Sequence, residues 1–176
     1  MLRAAARGCS VLQRRACSTT SVGCSVLQRR ACSTTSVGCS VLQRRACSTT
    51  SLNTHLGIDR TLSGSPVELR PGFARVSMTT TPTMSADGRG LTHGGFYFGL
   101  ADYAAMCAVN DPNVVLGSAE ARFLKPVKCG DSLTAEAKVS GEKGKKRLVD
   151  VTVTRGDEVV FAGNFVCFVL ERHVLD

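Results

Sequence analysis

An α+β domain, a curved antiparallel sheet of about six strands wrapped around one long central helix, is what residues 53–176 of this 176-residue sequence predict. Three observations carry the prediction. The run from Leu91 to Asn110 is apolar nearly all round, so a helix built from it needs cover on every side. Four strand-like segments follow it with no second helix between them. A short hairpin precedes it. One helix and a set of sequential strands can bury that helix only if the sheet curls about it.

The elements are justified in order. Val67 to Leu69 and Phe73 to Thr79 alternate apolar and polar residues around Arg70-Pro71-Gly72, a hairpin signal. Pro82 to Thr92 contains Pro, Asp and glycines and is expected to be a loop. The helix is expected from about His93 to Asn110, stopped by Asn110-Asp111-Pro112-Asn113. Strands are expected at Val114 to Leu124, Ser132 to Ser140, Arg147 to Arg155 and Glu158 to Leu170, with a turn at Gly141 to Lys146. Leu133, Ala135, Ala137 and Val139 alternate with polar neighbours, as do Val149, Val151 and Val153, so one sheet face there is solvated. The last segment is apolar on both faces, which suits a strand in the middle of a sheet or at a subunit contact.

Residues 1–52 read differently. A 15-residue unit beginning Gly-Cys-Ser-Val-Leu-Gln-Arg-Arg runs from Gly8 to Val22, again from Gly23 to Val37, and again from Gly38 to Leu52 with its last residue changed. No copy has a face wide enough to stack on the next. Before Asp59 there are eight arginines, no lysine and no acidic residue. That is the composition of an organelle transit peptide without a fold of its own, with the mitochondrial matrix as the expected destination and a plastid as the alternative. Each copy holds Arg-Arg-Ala-Cys-Ser, a matrix-protease pattern that predicts cleavage after Cys17, Cys32 or Cys47.

Setting that segment aside removes the charge. The formal +8 resides in its eight arginines, and 22 − 8 = 14 basic residues then face 14 acidic ones. A neutral domain gives no support for a nucleic-acid partner. Six of nine cysteines go with the repeats. Cys107, Cys129 and Cys167, widely spaced in apolar surroundings, argue for reduced thiols rather than disulfides or a zinc site. The longest uncharged run near the end, Val159 to Leu170, has twelve residues, too few to span a bilayer. No membrane association is expected.

Asp102 is the residue that asks for a function. Its helical neighbours Phe98, Gly99, Ala105 and Met106 cannot neutralise it. A buried carboxylate without a partner is costly, so the partner comes from elsewhere in the fold, from another subunit, or from a ligand. Eight residues earlier the helix opens on Gly94 and Gly95, where unpaired N–H groups meet no side chain and a carbonyl oxygen can approach.

His93-Gly94-Gly95, six residues, then Asp102 within Leu-Ala-Asp, followed by Arg122-Phe123-Leu124-Lys125-Pro126-Val127 and Gly130-Asp131, resembles the phenylacetyl-CoA-thioesterase-like branch of the hotdog acyl-CoA thioesterases. The resemblance covers roughly Val67 to Leu170. It implies a hotdog fold and hydrolysis of an acyl-CoA to free acid and CoA, without metal or organic cofactor. It makes the N–H of Gly94, with Gly95 as helper, the donor that polarises the carbonyl, and Asp102 the general base or nucleophile. Related enzymes often carry Asn six positions before the histidine. Here that position is Asp87, which cannot donate through an amide and would repel Asp102 if the two were close, but which can still accept a hydrogen bond from water as a catalytic candidate. His93 is placed to hold the loop or contact substrate, and Ser118 is the nearest candidate for a polar helper on the following strand. For the CoA phosphates the candidates are Lys125, Lys128, Lys145, Lys146 and Arg147.

Geometry adds a subunit. Gly94 and Asp102 lie about 12 Å apart along one helix at 1.5 Å per residue, too far to serve one carbonyl. Two antiparallel helices solve this, each placing its Asp102 beside the other's Gly94, so a homodimer or a dimer of dimers is expected. A bacterial lipid-synthesis repressor also resembles the C-terminal half, from Arg122 to Lys128 and in the last strand. It stands for the other reading, a non-catalytic acyl-thioester sensor, but such a repressor lacks the acid at the position of Asp102.

Overall fold

A computed structural model describes residues 50–176. The repeats and their three expected cleavage points lie outside the described residues. In chain order the elements are α1 (Arg60–Ser63), β1 (Ser65–Arg70), β2 (Phe73–Thr79), a 3-10 turn (Pro82–Met84), α2 (Gly94–Val109), β3 (Val114–Phe123), β4 (Ser132–Lys143), β5 (Lys146–Arg155) and β6 (Glu158–Val169). The strands form one six-stranded sheet in the order β1-β2-β4-β5-β6-β3. Every pairing is antiparallel.

The sequence pattern explains which face meets the helix. Ala74, Val76 and Met78 of β2, Leu133, Ala135 and Ala137 of β4, and Val149, Val151 and Val153 of β5 are buried at every second position. They close on Leu100, Ala101, Ala104, Ala105, Met106 and Ala108 of α2. Small residues on the helix let the sheet come close. β6, apolar on both faces, lies between β5 and β3 rather than at an edge.

Both ends of α2 are tied. At the start, His93 caps the helix, and its own N–H donates to the Met84 carbonyl at 2.9 Å. At the end, Asn110 takes the left-handed conformation (φ 54°, ψ 39°) that Asn tolerates. Its amide oxygen accepts from the Asn53 N–H, and its amide nitrogen donates to the Ser51 carbonyl, both at 2.8 Å. Thr50 donates to the Leu69 carbonyl at 3.2 Å. Residues 50–52, grouped by sequence with the repeats, are thus bonded to the domain.

Three local details differ from expectation. α1 was not foreseen, because one turn carries no periodicity; it forms where Asp59 caps it, accepting from the Thr61 N–H at 2.8 Å. The loop after Thr81 contains the 3-10 turn opened by Pro82. The β4–β5 connection is shorter than Gly141 to Lys146. A bulge between Val139 and Gly141 lets β4 continue to Lys143, so only Gly144 and Lys145 form the turn, with Gly144 at φ 56°.

Candidate active site

The site is built on α2. The His93 Nδ1 accepts the Gly95 N–H at 3.0 Å, and Phe96 donates back to the His93 carbonyl at 3.1 Å. Gly95 is therefore not a second free donor: its N–H is held by the cap, and a Cβ there would meet His93 Nδ1 at 2.9 Å. The Gly94 N–H has no acceptor among the described residues. His93 acts as the cap that shapes this opening.

One helix stripe joins the two ends of the site, because Gly94, Phe98 and Asp102 recur every four residues. Phe123, at the end of β3, lies over Gly94, with Cε1 3.0 Å from where a Cβ would stand. Phe98 packs on Phe165 and Phe161 of β6, with ring centroids 5.7 and 6.2 Å away. Asp102 follows beside Cys167 of β6. Burial, and then the nearby Asp102 charge, push the Cys167 thiol up to about 12. Sequence reading did not single out Phe123 for the site; its place over Gly94 follows from the register that sets Phe123 opposite Phe161.

Asp102 is half-buried rather than fully buried, open on one side of the helix. Its Oδ1 is nevertheless sealed from solvent with no hydrogen-bond partner. Burial alone pushes the carboxyl from the usual carboxylate range up to about 6. Asp87 takes no part in that shift. Its Oδ1 accepts the Arg89 N–H at 2.9 Å and the Leu91 N–H at 3.1 Å, so this carboxylate braces its own loop.

The remaining candidates separate into two groups. A cleft of about 420 Å³ at the helix start is lined by His93, Gly94, Tyr97, Phe123, Lys125 and Pro126, among others. A neighbouring cleft of about 310 Å³ is lined by Asp87, Arg89, Leu91, Pro126 and Lys128. Lys145, Lys146 and Arg147 stand at the other end of the sheet. Lys146 is in register with Phe168 and Phe123 with Phe161, a separation along β6 of about 23 Å at 3.3 Å per residue. Lys145 pairs with Glu171 at 2.7 Å, and the Arg147 guanidinium donates to the Gly144 carbonyl at 2.6 Å. Ser118 is exposed on β3 just past a bulge, with no side-chain hydrogen bond among the described residues.

Cys107 and Tyr103 are buried on α2, and burial raises both groups to about 12; burial also raises the hydroxyl of Tyr97, which lines the cleft at Gly94. Cys107, Cys129 and Cys167 are all free thiols. Among the described residues no group of three or more His, Cys, Asp or Glu stands where it could hold a metal ion. No described helix is long and apolar enough to cross a membrane.

Comparison with known proteins agrees with this fold. The thioesterase superfamily profile matches residues 89–162, which include the His93 cap, Asp102, strands β3 to β5 and the start of β6. The crystal structure of an uncharacterized protein from Pyrococcus horikoshii is 54% identical with a TM-score of 0.72, covering 73% of this chain and 98% of that one. The Escherichia coli PaaI protein from the phenylacetic acid degradation operon is 29% identical with a TM-score of 0.57, covering 62% of this chain and 85% of that one. Among curated relatives, a protein from Aquifex aeolicus named methylthioribose-1-phosphate isomerase is 53% identical over 114 residues, 65% of this chain but only 25% of that protein. Transcription factor FapR of Bacillus subtilis is 36% identical over 77 residues, 43% of this chain and 41% of that protein. The chain thus spans well under half the length of these curated relatives. A near-complete match to the Pyrococcus structure, the superfamily profile and a helix wrapped by a six-stranded antiparallel sheet together establish that the chain belongs to the thioesterase superfamily and has its hotdog fold.

Proposed function

We propose that this chain is an acyl-CoA thioesterase that works as a homodimer, or a dimer of dimers, with each site shared between two subunits. The observation that carries the reading is Asp102: a carboxylate with a sealed, unpartnered oxygen, raised to about 6, on the helix whose first N–H is free. A group ionised at neutral pH yet still basic suits a general base.

In the reaction, the thioester carbonyl oxygen accepts the Gly94 N–H of one subunit. The Asp102 carboxylate of the other takes a proton from water, and the water oxygen bonds to the carbonyl carbon. The displaced electron pair rests on the carbonyl oxygen, where the helix terminus stabilises it. Collapse re-forms the carbonyl and breaks the C–S bond. The proton passes from Asp102 to the departing sulfur, giving a free acid and CoA. Attack by Asp102 itself, through an anhydride, is the variant of this scheme. Where water opens the anhydride at the Asp102 carbonyl, a single turnover in ¹⁸O water tells the two apart by labelling the Asp102 side chain.

β3 is an edge strand of ten residues with one acid and one base, Glu120 and Arg122. Edges of that length need cover. Pairing with β3 of a second subunit supplies it and turns the two α2 helices antiparallel. The N-terminal repeats would direct the chain to the mitochondrial matrix, or to a plastid, where the 53–176 domain acts.

Release of CoA from a panel of acyl-CoAs tests the activity. Binding of an acyl-CoA with no release would favour the second reading, a non-catalytic acyl-thioester sensor, in keeping with a transcription factor among the relatives. Mixed dimers test the shared site. Gly94→Val and Asp102→Ala each inactivate their homodimers, but co-expression leaves one intact site in every heterodimer, so roughly a quarter of wild-type activity returns. No recovery in verified heterodimers would place both groups in one subunit.

A further inference from the structure

We infer that Arg89, acting with Lys128, forms the subsite for the nucleotide phosphates of CoA, at the α2 end of the domain; the inference rests on the acyl-CoA reading above.

The two clefts at the helix start share Leu91 and Pro126 and so adjoin one another. The first contains Gly94, where the thioester would sit. The second holds the cations. A backbone bridge sets Leu91 opposite Lys128, and the Cys129 N–H donates to the Gly90 carbonyl at 2.9 Å. The walls of the groove are therefore fixed to each other. Its apolar stretch suits the pantetheine arm, and its charged end suits phosphate.

Arg89 is aimed by a rigid loop. Ser85 bridges Thr92, and the Ala86 N–H donates to the Leu91 carbonyl at 2.7 Å. Asp87 Oδ1 holds the backbone N–H groups of Arg89 and Leu91, while Gly90 takes φ 79°, which a side chain would disfavour. The Arg89 guanidinium itself has no hydrogen bond or ion pair among the described residues. Arg75 and Arg155 of the sheet are paired by contrast, Arg75 with Glu68 and Glu136 and Arg155 with Asp131 and Glu158, whereas Arg122 of β3 is also without an ion pair among the described residues. Lys128 makes no ion pair of its own, and the acid nearest its loop, Asp131, is bonded to Arg155 at 2.8 Å. Asp87 is the one acid lining the second cleft, and its Oδ1 is turned to the backbone. A planar guanidinium without a carboxylate partner, on a braced loop, matches the bidentate geometry of phosphate recognition.

The test is calorimetric binding of free CoA and of pantetheine to the full chain. Arg89→Ala is expected to weaken CoA binding by about tenfold or more, a difference of about 1.4 kcal/mol, and to leave pantetheine binding unchanged. Arg89→Lys should recover part of the loss. Lys138→Ala, which removes a charge on the outer sheet face, should change neither. Dephospho-CoA divides the phosphate source: loss of the Arg89 effect assigns the residue to the 3′-phosphate, and its persistence to the diphosphate. Equal weakening of CoA and pantetheine would show a structural role and overturn the subsite, as would unchanged CoA binding or an equal loss in Lys138→Ala. Wild type that binds CoA through Arg89 but opens no thioester would sink the enzyme reading alone. Hydrolysis by wild type with CoA binding insensitive to Arg89→Ala would sink the subsite alone.

Discussion

Asp102→Asn is expected to abolish thioester hydrolysis, by about a thousandfold or more, while making the domain more stable above about pH 6. The two effects have one cause. Burial raises the folded-state carboxyl from 3.8 to about 6, so the native state binds a proton that the unfolded chain releases. A raised acid contributes its full stability only below about pH 4, and that contribution is lost as pH rises through about 6. At neutral pH the ionised, half-buried group costs up to about 3 kcal/mol, from 1.36 kcal/mol per pKa unit. An amide of nearly the same shape carries no such penalty. The gain of Asp102→Asn over wild type should thus be near zero at pH 4, grow between pH 4 and 6, and level off above. Thermal melts across that range check it. A gain independent of pH would mean that the carboxyl does not titrate there. In the proposed mechanism only the ionised carboxyl removes a proton, so the kcat/KM of the wild type should rise about tenfold per pH unit below 6 and flatten above it.

Phe161→Ala should cost about 3 to 5 kcal/mol of stability, the usual range for removing a fully buried aromatic ring. Phe161 is 0% exposed, and its ring lies 5.2 Å from Phe123, 6.2 Å from Phe98, 6.3 Å from Tyr97 and 6.4 Å from Phe165. It is the ring that Phe98 on the helix stripe and Phe123 over Gly94 have in common. Denaturant melts measure the stability loss. Activity under conditions where the variant stays folded should also fall, since Phe123 loses its support beside Gly94. A variant that keeps wild-type stability would contradict the packing described.

The fold was legible because its two periods are clean. Two-residue alternation in Leu133 to Val139 and in Val149 to Val153 fixed which face of the sheet is inside, and the all-round apolar run named the central helix. Asp102 stood out for the same reason, as a charge breaking that run. Tertiary events were not legible. That His93 would occupy the Gly95 N–H depends on a ring orientation at one cap, and that Asp87 would turn inward on its own loop depends on local N–H groups. Lys145, Lys146 and Arg147 looked equivalent to Lys125 and Lys128 as cations on turns. Only strand register sends the two sets to opposite ends of β6. Arg89 escaped notice because a single arginine in a glycine-rich loop has no periodicity to mark it.

The clasp of Asn110 on Ser51 and Asn53, with the bond from His93 to Met84 at the opposite end, determines more than helix stability. It sets axial alignment. In an antiparallel pair, a slip of one residue rise, 1.5 Å, in each helix changes the gap between one subunit's Gly94 and the other's Asp102 by about 3 Å in both sites at once. In the proposed dimer a loosened N-terminal strap would then detune both shared sites together, from a place that touches neither.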